Sequence, residues 1–351
     1  MTTPKQVQLK HSVAPYEKTS TKISIRQMLN TLVPLVLLWY AAYLSLQVSY
    51  WMTFPLAMLT ACFVIRTFII FHDCCHQSFF KSRRANDIVG TITGVITLSP
   101  YRQWKYSHSV HHATSSNLDK RGIGDIWVMT TDEYAAASFW LRLRYRLYRN
   151  PLVMFGLGPI FVFLIQYRFN RRGAKRKERM NTYITNISIV ALYALLSWMI
   201  GWQAFVLVQA PVFFFSGVLG IWLFYVQHQF EESYYEHEDE WSYVKAAVEG
   251  SSYYKLPRIL QWITGNIGFH HVHHLSPRVP NYQLEAAHNA TPPLQQATTI
   301  TLRTSLRSLR FHLWNEQDKS FVSFKELRVR TKEQQSAEDT RKHPKPQPRL
   351  E

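Results

Sequence analysis

The chain has 351 residues and a formal net charge of +17, from 40 Lys and Arg against 23 Asp and Glu. Hydrophobic residues make up 47% of it, and apolar runs of about 20 residues, long enough to cross a bilayer, alternate with strongly basic segments. No nucleic-acid-binding motif accompanies the charge. Composition therefore argues against nucleic-acid binding and indicates a polytopic membrane protein whose basic segments meet anionic lipid headgroups.

The N-terminal part of the chain predicts one helical hairpin. Residues 1–25 are polar, and we expect a loose cytosolic arm that reaches residue 30. The apolar runs 31–51 and 53–71 are each long enough to cross a bilayer. Together they predict a transmembrane hairpin over 31–71, with its turn near residues 52–55.

The next part, residues 72–183, predicts a cytosolic or interfacial region. Its apolar run 88–99 is too short to cross a bilayer comfortably, and the run 151–167 is near the lower limit. Residues 168–179 are densely basic and are expected on the cytosolic side.

A second transmembrane hairpin is predicted over residues 184–227, with its turn near Gly201 or near Pro211. If only the two hairpins span, the basic segment, the histidine clusters and both termini all lie on the cytosolic side. A single further span at 151–167 would separate the basic segment from the earlier clusters. We therefore expect 88–99 and 151–167 to be interfacial or re-entrant.

The C-terminal part predicts a cytosolic cap over residues 228–330. Leucines at helical spacing between 302 and 313, interleaved with arginines, indicate a basic amphipathic helix that lies either on the membrane surface or against the cap. Residues 331–351 are charged and lack apolar anchors, which predicts a disordered tail. The fold class that follows is an all-α integral membrane protein with two long transmembrane helical hairpins, or four spans. A cytosolic helical cap completes this architecture.

The chain contains 15 histidines, and their placement points to chemistry. Three clusters have the sequences HDCCH at 72–76, HSVHH at 108–112 and HHVHH at 270–274. Spacing of i and i+4 places two imidazoles on one face of a helix. His228 follows the last apolar run and is predicted to lie near the clusters. The other histidines are interpreted as ordinary side chains: His11, His237, His288, His312 and His343.

Imidazole nitrogen suits iron, copper, zinc and nickel. A structural zinc ion needs four ligands, whereas these clusters offer at least eight, so the number fits two metal ions. Two irons held close together can bind and reduce dioxygen and break an unactivated C–H bond. The pattern thus predicts an oxygen-activating di-metal enzyme.

The three histidine boxes, in this order and spacing, resemble those of the integral-membrane fatty acid desaturases over roughly residues 30–320. The flanks after His111 and before His270 resemble the bacterial acyl-lipid branch, of the Bacillus Δ5 type. The resemblance implies two irons, with O2 as co-substrate. Asn266 is a candidate for holding a water on one iron, and Asp73, Asp119 and Asp125 are candidates for orienting imidazoles, whereas His271 falls in a variable position. The implied metal ligands are His72, His76, His108, His111, His112, His228, His270, His273 and His274.

The resemblance further implies an oxidoreductase that desaturates membrane-lipid acyl chains in an apolar tunnel, with O2 reduced to water. No residues beyond the metal ligands are assigned a catalytic role. The chain contains no haem or flavin module of its own, so a separate electron donor is expected, and an acidic ferredoxin or flavodoxin would suit the basic face.

Two other functions stay open at this point. The same boxes serve di-iron hydroxylases and ketolases that act on lipids or carotenoids. A metal-binding membrane protein without catalysis is the alternative from another class. A transporter would place its ligands near the middle of the spans, whereas these lie at span ends and in loops.

Overall fold

The computed structural model describes residues 4–342, and this part of the chain is mostly helical. The helices are α1 (Pro4–Val13), α2 (Thr21–Ser45), α3 (Tyr50–Cys75), α4 (Arg83–Ile96), α5 (Tyr101–Thr114), α6 (Thr131–Ala136), α7 (Phe139–Tyr148), α8 (Arg176–Ile200), α9 (Trp202–His228), α10 (Tyr243–Val248), α11 (Arg258–Ile263), α12 (His270–Leu275), α13 (Leu284–Ala290), α14 (Leu302–Ser305) and α15 (Phe324–Lys342). The strands are β1 (Met129–Thr130), β2 (Tyr253–Lys255), β3 (Thr299–Thr301), β4 (Leu313–Asn315) and β5 (Ser320–Val322).

Four helices, α2, α3, α8 and α9, are long and apolar enough to cross a membrane. They have 25, 26, 25 and 27 residues, which at 1.5 Å per residue exceeds the roughly 30 Å of a bilayer's hydrocarbon core. They form two hairpins, α2–α3 and α8–α9, so the predicted fold class is confirmed. The first box and His228 lie in the last turns of α3 and α9.

The turn of the first hairpin lies earlier than predicted, at residues 46–49. The hydroxyl of Ser49 accepts a hydrogen bond from the backbone nitrogen of Trp51 at 3.2 Å and caps α3. Pro55, which suggested a turn, lies inside α3. A serine cap fixes a helix start, and a proline in a membrane helix is tolerated when neighbouring groups satisfy the freed backbone.

The turn of the second hairpin is at Gly201, as the first of our two alternatives predicted. Gly201 has φ of +86°, a conformation that favours glycine, and it separates α8 from α9. Pro211 lies inside α9.

The prediction of a loose N-terminal arm was wrong for the residues that the structure describes. Helix α1 packs its last residue, Val13, into the cap core, and α2 begins at Thr21. Ser24 is fully buried and donates to the carbonyl oxygen of Phe79 at 2.6 Å, while Gln27 donates to the side chain of Asn281 at 3.1 Å. The polar side chains of Ser24 and Gln27 thus form hydrogen bonds inside the protein and are not exposed to solvent.

The two shorter apolar runs form irregular or short elements. Residues 88–99 fall mostly in α4, whose 14 residues are too few to span. Residues 151–167 form two π-helical turns, Leu152–Leu157 and Ile160–Ile165. With α7 they make a pair bent by 65°, the geometry of a broken span or a re-entrant loop. Our re-entrant interpretation stays a prediction.

The cap contains two small sheets that sequence periodicity did not predict. In one, β4 pairs parallel to β1 and antiparallel to β5, and in the other β2 pairs parallel to β3. The predicted amphipathic helix over 302–313 was wrong as one element: α14 is followed by a 3-10 turn, Leu306–Arg310, and Leu313 is buried in β4. Strand pairing with β5 overrides the leucine spacing there.

The C-terminal tail is helical in the part that the structure describes. Helix α15 runs to Lys342, so the predicted disorder was wrong for residues 331–342. Residues 343–351, with His343, lie outside the described residues.

Candidate metal centre

The three histidine boxes and His228 lie on four helices whose ends meet at one side of the hairpins. The first box closes α3, the second lies in the last two turns of α5, and the third forms most of α12. His228 is the last residue of α9. Since boxes one and two are helical, their i, i+4 imidazoles share a face, as the spacing predicted.

Nine imidazoles form two groups, and within each group the ligand nitrogens lie within 4.8 Å of one another. These are the nine histidines that the sequence analysis selected. Site A comprises His72, His76, His108, His112 and His273, and site B comprises His111, His228, His270 and His274.

In site A the Nε2 atoms face one another. The Nε2 atom of His108 lies 3.0 Å from that of His72 and 3.1 Å from that of His112. The Nε2 atom of His273 lies 3.0 Å from that of His112. The Nε2 atom of His76 is buried and has no hydrogen-bond partner among the described residues. A buried imidazole nitrogen without a partner, facing four others, is the arrangement of a metal ligand.

Site B gives the sharper test of whether a metal fits. His111 donates from Nδ1 to the carboxylate of Asp125, and His228 donates from Nδ1 to the carbonyl oxygen of Gly250 at 3.0 Å. In a neutral imidazole the other nitrogen then carries a lone pair. The two Nε2 atoms nevertheless lie 3.2 Å apart. Two lone pairs that face each other at this distance repel unless a cation lies between them, so the donor set fits a metal ion.

Burial favours the neutral form of five of these imidazoles. It lowers the pKa of His108, His112 and His273 well below the ordinary value, and the neighbouring imidazoles lower it further. The pKa of His270 and that of His274 are lowered for the same reasons. A neutral imidazole has the free lone pair that metal binding requires.

Carboxylates orient two of the candidate ligands. Asp73 Oδ1 lies 3.1 Å from His72 Nδ1, and its Oδ2 accepts from the backbone and side-chain nitrogens of Asn281 at 2.7 and 2.8 Å. Asp125 accepts from His111. Such acceptors fix the tautomer and ring orientation of a ligating histidine. Asp119 does not reach the centre, because it binds the exposed His237 at 2.8 Å.

Two further histidines form a separate pair. His271 Nε2 lies 3.0 Å from His288 Nδ1, outside both sites. Burial, together with His288, lowers the pKa of His271 to about 3. The side chain of Asn266, the candidate for holding a water, donates to the carbonyl oxygen of Asn281 at 3.3 Å.

Sequence reasoning missed three residues that shape the centre. Trp104 packs on His108, with ring centroids 4.2 Å apart, and a tryptophan one turn before a histidine is a signal that could have been used. Gly124 (φ of +79°) lies where a Cβ would meet the carbonyl oxygen of Ser107 at 2.6 Å, so only glycine lets Asp125 approach α5 this closely. Asn281 is 208 residues from Asp73 along the chain, and no pattern in the sequence connects the two residues.

An apolar cavity of about 540 Å³ leads away from the centre. His72 and His270 lie at its head, and residues from Gln227 back to Gln209 line it along α9. That stretch of helix is about 27 Å long at 1.5 Å per residue. The cavity can hold an extended hydrocarbon chain with one part beside the imidazoles.

Residues 49–304 match the family model described as fatty acid desaturase, and this range contains all nine imidazoles. The chain belongs to the fatty acid desaturase family. It is 62% identical over 324 residues to a fatty acid desaturase of Bacillus subtilis (strain 168), which covers 92% of each chain.

More distant members of the family are also similar to this chain. It is 27% identical over 258 residues to an sn-1 oleoyl-lipid 12-desaturase of Synechocystis, covering 71% of each chain. It is 25% identical over 265 residues to an sn-1 acyl-lipid omega-3 desaturase (ferredoxin) of Nostoc, covering 70% of this chain and 68% of that one. The chain is therefore a membrane-embedded fatty acid desaturase, an oxidoreductase, with histidine clusters suited to a di-metal centre.

Proposed function

We propose that this protein is an oxygen-dependent acyl-lipid desaturase that introduces a cis double bond into membrane-lipid acyl chains at a di-iron centre. One observation carries the proposal: two groups of converging imidazoles meet the head of a long apolar cavity. The names of the Synechocystis and Nostoc relatives support lipid-linked acyl chains as the substrate class.

Iron is the metal that best combines the donor set with the family's chemistry. All nine candidate ligands are imidazoles, which suit iron, and no cysteine belongs to either group. The free thiols of Cys74 and Cys75 lie inside the first box and are buried, but they belong to neither group. When bound, two iron ions would supply the oxygen-derived oxidant that removes one hydrogen from each of two adjacent methylenes.

The protein's own contribution is to position the chain and exclude water. Phe68, Ile69 and Leu223 line the cavity near its head, so a hydrocarbon chain displaces water there. The methylenes held beside His72 and His270 are those that react, since proximity decides which C–H bond is oxidised. The acidic partners Asp73 and Asp125 keep two imidazoles oriented with Nε2 towards the centre.

Two electrons must come from outside in each turnover. A separate ferredoxin or flavodoxin is the proposed donor, and the name of the Nostoc relative mentions ferredoxin. The active site and both termini are proposed to face the cytosol, because the basic residues 168–179 lie at the same ends of the spans as the boxes.

The test is expression in a host without unsaturated lipids, with mass spectrometry to locate double bonds in the acyl chains. We expect a new double bond that requires oxygen, and about two iron ions per chain. A hydroxylated product, or no product from iron-loaded protein, would contradict the proposal.

The matched variant is His111→Ala. It should abolish desaturation while the protein still inserts and folds, because it removes one of the four nitrogens of site B. The control is His237→Ala, which removes an exposed histidine outside both sites. Retained activity in His111→Ala would remove the second box from the site.

A further inference from the structure

A second pocket, of about 530 Å³, approaches site A from outside the apolar cavity. None of the residues that line it also lines that cavity. Its lining residues are His76, Gln77, Lys81, Arg83, Asp87, Lys105 and Arg278. The two openings therefore lead to the same imidazole group from different sides, and only one of them is suited to hydrocarbon.

His76 connects this pocket to the metal centre. It is the one half-buried member of the nine, whereas the other eight are buried. Its ring centroid lies between 4.7 and 4.9 Å from those of four other histidines. These four are His72, His108, His112 and His273. The ring of His76 thus both lines the pocket and packs against the other four imidazoles of site A.

The rim of the pocket is strongly cationic. Lys81 and Arg83 are exposed and have no ion-pair partner among residues 4–342. Asp87, the single carboxylate among the lining residues, already accepts hydrogen bonds from Tyr101, Gln77 and Arg102. The electrostatic field at the mouth is positive and favours a negatively charged partner.

We propose that this pocket is the docking and electron-entry surface for a small acidic electron-carrier protein, with His76 as the entry point. The inference rests on the proposed function and names the partner surface of the same site. A lipid headgroup is the less suitable occupant, since a phosphate attached to the substrate chain belongs at the mouth of the apolar cavity, which this pocket does not share.

Desaturation consumes two electrons that a separate carrier must deliver. Two reduced carriers each give up one electron. These two electrons, two protons and the two hydrogen atoms removed from the acyl chain reduce one O2 to two water molecules. One C=C double bond forms as two C–H bonds break, and both carriers leave oxidised.

The test uses the full-length, iron-loaded protein in nanodiscs and a [2Fe–2S] ferredoxin of net negative charge. Lys81→Glu/Arg83→Glu reverses two charges at the rim without touching an imidazole. We expect it to weaken ferredoxin binding and to raise the KM for ferredoxin by roughly tenfold or more at low salt, with the difference shrinking as salt is added. Turnover driven by reduced methyl viologen, which needs no docking, should stay at the wild-type rate.

The matched control is Lys325→Glu/Arg328→Glu, the same charge change on exposed residues of α15. Equal ferredoxin binding and KM in both variants and the wild type would overturn the docking surface. Loss of the viologen-driven rate as well would also overturn it, because the pocket would then serve substrate or metal. Charge-dependent binding to a wild-type protein that makes no double bond would leave the docking surface supported while the desaturase proposal fails.

Discussion

Individual residues decide whether the nine imidazoles act as ligands. The hydrogen bonds from His111 to Asp125 and from His228 to Gly250 fix which nitrogen carries the lone pair. Without these acceptors each imidazole can adopt either tautomer, and only the tautomer with its lone pair on Nε2 can bind a metal in the centre. The sequence placed Asp73 and Asp125 near the boxes, but only the structure separates them from Asp119, which lies on the surface with His237.

We expect Asp125→Ala to weaken iron binding by about 10- to 100-fold, because His111 loses the acceptor that sets its tautomer. Iron retained against a chelator series, measured on purified protein, checks this. Asp119→Ala is the control, since its carboxylate contacts an exposed histidine. Equal iron retention in the two variants would show that the contact with His111 has no orienting role.

At the scale of elements, the paired spans create the cavity between them. Helix α9 lines it along most of its length, α3 contributes the turns before His72, and the bent segment 151–167 closes the third side. The apolar run 151–167 was too irregular for periodicity to place. Its two π-helical turns flank Pro159, which packs against Gly217 of α9. A Cβ at Gly217 would lie 2.6 Å from the Cβ of Pro159, so only glycine allows this contact.

Filling the cavity should change which acyl chains react. Gly220 lines the cavity, and a Cβ there meets only the end of Ile65 at 3.6 Å. Gly220→Leu should therefore fold, project into the cavity and lower activity on long acyl chains by about tenfold or more relative to shorter ones.

Competition between acyl chains of different length, followed by mass spectrometry, measures this effect. Gly156→Leu is the matched control, because Gly156 does not line the cavity and its Cβ meets nothing within 4 Å. An unchanged chain-length preference in Gly220→Leu would mean that the acyl chain lies elsewhere.

For the whole molecule, the decisive feature is that all ligand-bearing helix ends lie on one side of the hairpins. Charge asymmetry supports a cytosolic position for that side, as the basic residues 168–179 precede α8. Helix α1 and the start of α2 pack on the cap through Val13 and Gln27. Cap and spans share one core, in which Val13 and Ile69 pack with α12 and α13.

The orientation can be tested by thiol labelling in intact cells. Arg172→Cys lies in the basic segment and Gln203→Cys next to the Gly201 turn, and both positions are exposed. A membrane-impermeant maleimide should label Gln203→Cys in whole cells and Arg172→Cys only after the cells are opened. The native Cys74 and Cys75 are buried, and the half-buried Cys62 lies within the span α3, so the native cysteines should stay unlabelled. The reverse pattern would place the centre outside the cytosol.

The sequence by itself predicted the four spans and the three boxes, because hydrophobic length and i, i+4 spacing are local properties, and through its family resemblance it implied the nine histidines. It did not determine how the nine divide. Neighbours on one helix separate: His112 belongs to site A and His111 to site B, as do His273 and His274 respectively. That division depends on contacts such as the one between His111 and His228, 117 residues apart. Only tertiary packing brings such residues together, and it alone placed His76 between the metal centre and the basic pocket.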